Sequence, residues 1–173
     1  MDQQLINTAL VSQYKAALSM LTKAVEKTPA VDWNSTEYHN PNWQIAYHVL
    51  WSVKFYSVAG PEQYQPWPNT IVGAESLGGA EEWENPEVVI EGHHSKQEIL
   101  SFIDDLKQHI AEAVAALPLD GPSGFDWYPY SRLELHINTI RHIQHHTAQI
   151  IERLKAKGIT GFPWIIDENP SAW

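Results

Sequence analysis

The chain has 173 residues, 43% of them hydrophobic, which is enough for one domain with a proper core and too little to expect two. Eleven Lys and Arg stand against 21 Asp and Glu, and the formal charge of -10 disfavours a nonspecific grip on nucleic acid or anionic lipid. The absence of cysteine removes disulfides, thiolate metal ligands and a cysteine nucleophile together, so any thiol chemistry must use a thiol from outside.

The N-terminal run MDQQLINTALVSQYKAALSM carries acidic and polar residues where a signal peptide needs a basic start and an unbroken apolar stretch. A soluble cytoplasmic protein is expected. Leu5, Ile6, Ala9, Leu10, Ala16, Ala17, Met20, Leu21, Ala24 and Val25 recur at the three-to-four spacing of an amphipathic helix over about residues 3 to 27, closed by Pro29. A second helix is predicted to open with Asn40 as N-cap and Pro41 in the first turn, and to run through Ile45, Val49, Ser52 and Tyr56 towards Gly60-Pro61. From Gly60 to His94 the chain is rich in proline and glycine without a sustained period, and reads as a long irregular connection. Gly60-Pro61 and Gly78-Gly79 read either as the flanks of a mobile lid or as ordinary loop glycines.

Ser95-Lys96-Gln97-Glu98 has the form of a capping box and starts a third helix that Pro118 closes. The connection LDGPSGFDWYPY leads to a second capping box at Ser131 and Glu134, and the last helix continues to about Lys157 before Gly158. Four long helices without a strand pattern predict an all-α, antiparallel four-helix bundle spanning residues 1–173 as one domain. The long connection leaves room for a crossover, so helix order stays open. The C-terminal stretch GFPWIIDENPSAW is apolar enough to dock on the bundle or on a second subunit.

Nine histidines supply the candidate chemistry. His142 and His146 lie one turn apart on one face of the last helix and can direct two imidazoles at one ion. A shuffled chain of this composition contains on the order of 0.5 such pairs, so the pair needs a third ligand. His48 supplies it: its spacing from Ile45 and Ser52 points it inward, and bundle interiors are where facing helices assemble metal sites. Three neutral imidazoles with a vacant fourth position describe a catalytic type of centre. Zinc is the default, with nickel, iron, manganese or copper compatible with nitrogen ligation. Ile143 occupies the position where a His-Glu-x-x-His protease keeps its glutamate, which excludes that class.

The other histidines read otherwise. His145 points away from its neighbours, His93 and His94 read as solvated loop residues, packing or solvent accounts for His39 and His109, and His136 lies on a different face from His142. Trp67 and Trp83 lie in the first connection, and Trp127, Tyr128 and Tyr130 in the second. The last three are candidates to wall a substrate pocket over the metal, or to cover the end of the bundle. Glu134, Asp126 and Tyr130 lie near the start of the last helix, without anything to place them near an ion.

Two segments, NPNWQIAYHVLWSVKFY and NTIRHIQHHTAQIIERLKAKGI, resemble the DinB/YfiT-like family, with His142-x-x-His145-His146 followed by Gln149 as the specific part. The resemblance implies a helical bundle with a metal centre at His48, His142 and His146; one divalent ion is expected there, zinc or nickel first and iron or manganese next. It also implies a homodimer acting on a small molecule, with relatives that include low-molecular-weight-thiol transferases and metal-dependent hydrolases. Metal activation of water or a small thiol is therefore the expected function. The alternatives are a noncatalytic metal- or ligand-binding, stress-associated bundle and a metal-free helical interaction module.

Overall fold

The helices form where the apolar periodicity is strongest, and their ends are set by local chemistry. The computed structural model describes residues 3–78 and 89–166. The chain forms α1 (Gln3–Lys27), a single turn α2 (Ala30–Trp33), α3 (Asn42–Tyr56), α4 (Lys96–Ala115) and α5 (Arg132–Ala156). Both predicted capping boxes are present: the Ser95 and Ser131 hydroxyls accept from the backbone N–H of Glu98 and Glu134, and each glutamate accepts in return from the serine N–H. At the far end of α5, Gly158 adopts φ 79°, its N–H bonds the Lys155 carbonyl at 2.9 Å, and Ile159 N–H bonds that of Leu154 at 3.0 Å. This is a Schellman ending, for which glycine is suited because it has no Cβ to clash.

The start of α3 differs from expectation. Pro41, not Asn40, is the N-cap, its carbonyl accepting from Gln44 and Ile45, and no side chain caps the helix. Asn40 instead offers its carbonyl to Arg153 Nη1 at 2.9 Å, which holds the entry to α3 against the end of α5.

Directions follow from cross-helix contacts. Tyr14 meets His136 and Met20 meets Gln144, so α1 and α5 run parallel. Lys107 reaches Ser19 and Lys96 reaches the Glu26 carbonyl, which makes α4 antiparallel to α1. Arg132 binds the Tyr56 carbonyl and Arg153 binds Asn42, making α3 antiparallel to α5. The four long helices therefore pack in the order α1, α5, α3, α4 around a shared core, one pair pointing up and the other down. Consecutive helices alternate in direction except α3 and α4, and that exception explains the long connection: the chain must return the length of α3, about 22 Å for 15 residues, before α4 starts. Tyr64 packs on Trp51 and Phe55, Trp67 on Tyr47, and Ser76 accepts from Gln44, so residues 64 to 76 trace that return.

The core draws Leu18, Leu21 and Val25 from α1, Ile45, Val49 and Leu50 from α3, Ile99, Phe102 and Ile103 from α4, and Ile143, Ile150 and Leu154 from α5. Each such side chain, fully buried, stabilises by about 1.5–3 kcal/mol. His94 belongs to this core and not to a solvated loop as its sequence context suggests. It is 2% exposed, with its ring 4.8 Å from Tyr47 and 5.2 Å from Trp67, while Trp67 stacks on Phe102 at 4.4 Å. Three aromatic neighbours, Trp43, Tyr47 and Trp67, which pattern reading cannot bring together, outweigh the polarity of one neutral imidazole. His93, His39 and His109 are exposed. His136 is buried and accepts at Nδ1 from the Tyr14 hydroxyl, 3.0 Å away, with burial pulling it down to about 4.

Beyond Gly158 the chain folds back on its own bundle. Ile159 and Phe162 pack against the core, and Lys27 Nζ donates to the Thr160 carbonyl at 3.1 Å. Trp164 and Ile166 are exposed, and the remainder of the apolar C-terminal stretch lies outside the described residues, as do Gly79 and Trp83.

The second connection docks on the end of α3 through one close approach. Gly124 has φ +87°, and a Cβ placed there would lie 1.7 Å from the Ala59 carbonyl oxygen. Neither backbone can yield cheaply. Gly124→Ala is expected to lower stability by at least about 2 kcal/mol, read from the urea midpoint, because strain and clash act together. An unchanged midpoint would mean that this contact is not formed.

Candidate metal centre

The middle of α3 and the middle of α5 cross where His48 faces His142 and His146. His48 Nε2 lies 3.0 Å from His142 Nε2, and His146 Nε2 lies 3.1 Å from the same atom. Ligand atoms of the three residues all fall within 4.8 Å of one another, and the cluster can hold one metal ion.

The outer nitrogens fix what these inner ones carry. His48 Nδ1 is 2.5 Å from the Glu75 main-chain carbonyl, which only accepts, so the proton is on Nδ1. Ser52 Oγ gives its single hydrogen to the Val49 carbonyl at 2.8 Å and therefore accepts from His142 Nδ1 at 2.9 Å. The Gln149 amide, with its oxygen towards the ring, accepts from His146 Nδ1 at 3.0 Å. All three Nε2 atoms consequently present lone pairs to one another. Lone pairs about 3 Å apart with no hydrogen between them repel, and a shared cation removes the conflict. The donor set fits a divalent ion: tetrahedral nitrogen ligands at zinc distances are separated by about 3.3 Å.

Burial keeps the imidazoles in the ligating form. It pulls His142 down to about 3, with the neighbouring His48, His146 and His145 adding to the effect. It pulls His146 down to about 4, against the opposing Gln149 hydrogen bond, and lowers His48 against the opposing Glu75 carbonyl. At neutral pH the site has no proton to displace before it binds metal. The sign for stability follows. These histidines, together with His136, stay neutral in the fold but protonate near 6.5 in the unfolded chain, so stability is full above that pH and is lost progressively as pH falls from 6.5 to about 4 for His136 and His146 and to about 3 for His142. Melting of metal-free protein is expected to decline from pH 6.5, above the range where carboxylates titrate. A flat profile between pH 6.5 and 5 would contradict the burial of these rings.

The fourth side of the cluster opens on a cleft of about 670 Å³ lined by all three histidines. His48 is thus half-buried at the edge of this cleft, not deep in the bundle interior as its spacing suggests; Ile45, Val49 and Ser52 take the inward positions on α3. Trp127 lines the cleft. Tyr128 and Tyr130 do not: they line a separate concavity formed by the second connection itself, with Asp126 and Glu134. Glu134 is engaged in its capping box. His145 is exposed, with its ring 4.8 Å from that of His146 and no place in the cluster.

Pattern reading gave no anchoring role to Ser52, to the Glu75 carbonyl or to Gln149, although Gln149 belongs to the motif that carries the family resemblance. Ser52 stands one helical turn after His48, a spacing that could have found it, and Gln149 stands three residues after His146. The Glu75 anchor is a main-chain carbonyl in an irregular segment, for which no side-chain signal exists. Gln149→Leu is expected to weaken metal affinity by roughly 10- to 100-fold by freeing the His146 ring, as loss of an outer hydrogen-bond partner does. Competition with a chromophoric chelator checks this; unchanged affinity would show that Gln149 does not orient the ligand.

No protein-family model, no curated protein and no solved structure matches this chain. The class that fold and site define is an all-α helical protein with a three-histidine cluster able to hold one metal ion.

Proposed function

We propose that the protein is a metal-dependent enzyme in which His48, His142 and His146 hold one divalent ion, zinc or nickel first and iron or manganese next, for transfer or hydrolysis on a small molecule. The observation that carries this reading is the convergence of three Nε2 lone pairs, each fixed by an acceptor on the far side of its ring, at the floor of an open cleft. An ion in a three-nitrogen centre with an open position acts as a Lewis acid and lowers the pKa of water or a thiol there. The residues do the rest. Ser52, Gln149 and the Glu75 carbonyl hold the rings in one tautomer and orientation, and the cleft between α3, α5 and the return segment admits the substrate.

The thiol version draws on the resemblance of the two helix segments to the DinB/YfiT-like family, as does the proposed homodimer. No helix among the described residues is long and apolar enough to cross a membrane.

The test is turnover of small thiols with electrophiles, and of activated esters with water, by tag-free protein with and without chelation. Metal-dependent turnover that disappears in His142→Ala supports the proposal. A steep fall in melting temperature on chelation, without metal-dependent turnover of any member of the panel, would make the ion a structural brace instead.

A further inference from the structure

The cleft joins an aromatic wall to a described lining without Lys or Arg. Trp51 and Phe55, one turn apart on α3, lie with ring centres 4.8 Å apart and planes 11° apart. Trp127 from the second connection lies parallel to Phe55, at 6.1 Å and 11°, and is 49% exposed. Three roughly parallel rings, stacked in turn through Phe55, thus border the space in front of the histidines, with Trp127 kept half in water. The polar lining includes Asn138 and a single carboxylate, Glu75, and among the described lining residues there is no Lys or Arg. Arg132, beside the Phe125 ring at 5.9 Å, already donates to the carbonyls of Tyr56, Val58 and Ala59.

We infer that the cleft selects a small molecule with an aromatic or otherwise flat apolar body whose end remote from the histidines is uncharged or cationic, and that it rejects carboxylate- or phosphate-bearing analogues. This rests on the metal reading above only for which end of the molecule faces the imidazoles. A flat apolar body gains offset stacking on the half-exposed Trp127 ring at the mouth of this stack. An anionic end held away from the histidines loses hydration with no lining Lys or Arg to pair with, and meets Glu75 and the field of a chain with net charge -10. The volume of about 670 Å³ suits a molecule of this size, within the usual range for small-ligand pockets.

Three matched probes separate the contributions: phenylmethanethiol, its para-carboxylate and its para-aminomethyl analogue, each titrated into zinc-loaded and chelator-treated protein by tryptophan fluorescence and ligand-observed NMR. The neutral and aminomethyl thiols are expected to bind at least about tenfold more tightly than the carboxylate in loaded protein, an order that persists at lower affinity after chelation. Trp127→Ala weakens the neutral thiol by about tenfold with zinc stoichiometry unchanged, and Glu75→Gln narrows the gap to the carboxylate. Equal or tighter binding of the carboxylate in both arms overturns the inference, as does no binding of the neutral thiol in either. If wild-type protein takes up no zinc, the metal reading fails while the chelator-treated arm still decides the charge preference. If zinc binds and the order is reversed, only this inference falls.

Discussion

His142→Ala is expected to weaken binding of a divalent ion by more than about 100-fold, beyond what loss of an outer partner costs, while the helices stay folded. His142 is the central member of the cluster, since its Nε2 lies 3.0 Å from that of His48 and 3.1 Å from that of His146. Without it the remaining two imidazoles cannot enclose an ion. The effect on metal-free protein has a different sign from that of an ordinary large-to-small change. Wild-type protein holds three neutral rings with facing lone pairs in a desolvated corner, and alanine removes the ring common to both close contacts. The ring borders an open cleft, so water fills the space and no closed cavity forms. The metal-free variant should therefore melt at or slightly above the wild-type temperature, and the rise that zinc induces in wild type should vanish. A variant that keeps full metal content, or one that unfolds without metal, would show that the ring serves the core and not an ion.

Arg132→Met is expected to destabilise by about 3 kcal/mol, a large share of the 5–15 kcal/mol that holds a domain together. Arg132 is 2% exposed, and its guanidinium donates to the carbonyls of Tyr56 at 3.2 Å, Val58 at 3.0 Å and Ala59 at 3.2 Å, all where the chain leaves α3. Burying a cation is costly, and its pKa is lowered by that burial. The three charge-assisted hydrogen bonds satisfy carbonyls that a helix end leaves open. Methionine keeps the apolar stem and restores the desolvation cost, but leaves those carbonyls buried without donors, and the second effect dominates. A loss of this size would appear as a fall of roughly 10 °C in melting temperature. The docked second connection carries Trp127, so cleft binding should weaken in the same variant even at temperatures where it remains folded. A change below about 0.5 kcal/mol would place Arg132 in contact with water.

The helices were readable because their determinants are local. Apolar spacing in α1, the Ser95 and Ser131 boxes and the Gly158 ending all act within a few residues. Helix order was not readable, since it depends on where the return segment lays Tyr64, Trp67 and Ser76 along α3, contacts between residues far apart in sequence. Asn40 misled because a favourable cap residue was recruited by Arg153 from another helix. His94 misled because a polar residue in an irregular segment gives no sign of the aromatic ring set that buries it. At the site, helical periodicity brought His142 and His146 together, and the position of His48 on α3 placed it opposite them. The tautomers, the Glu75 anchor and the cleft are tertiary, and the residues assigned to a pocket by proximity in sequence divided between two concavities, with Trp127 on one side and Tyr128 and Tyr130 on the other.

The central claim is that α3 and α5 together hold one divalent ion. Elemental analysis of protein purified without an affinity tag tests it most directly, with the same protein measured again after chelation and dialysis against zinc. The account predicts about one equivalent of metal per chain after reconstitution, with three nitrogens as its only protein ligands. A reconstituted chain carrying well under half an equivalent, or one whose metal shows oxygen ligands from the acidic surface, would contradict it.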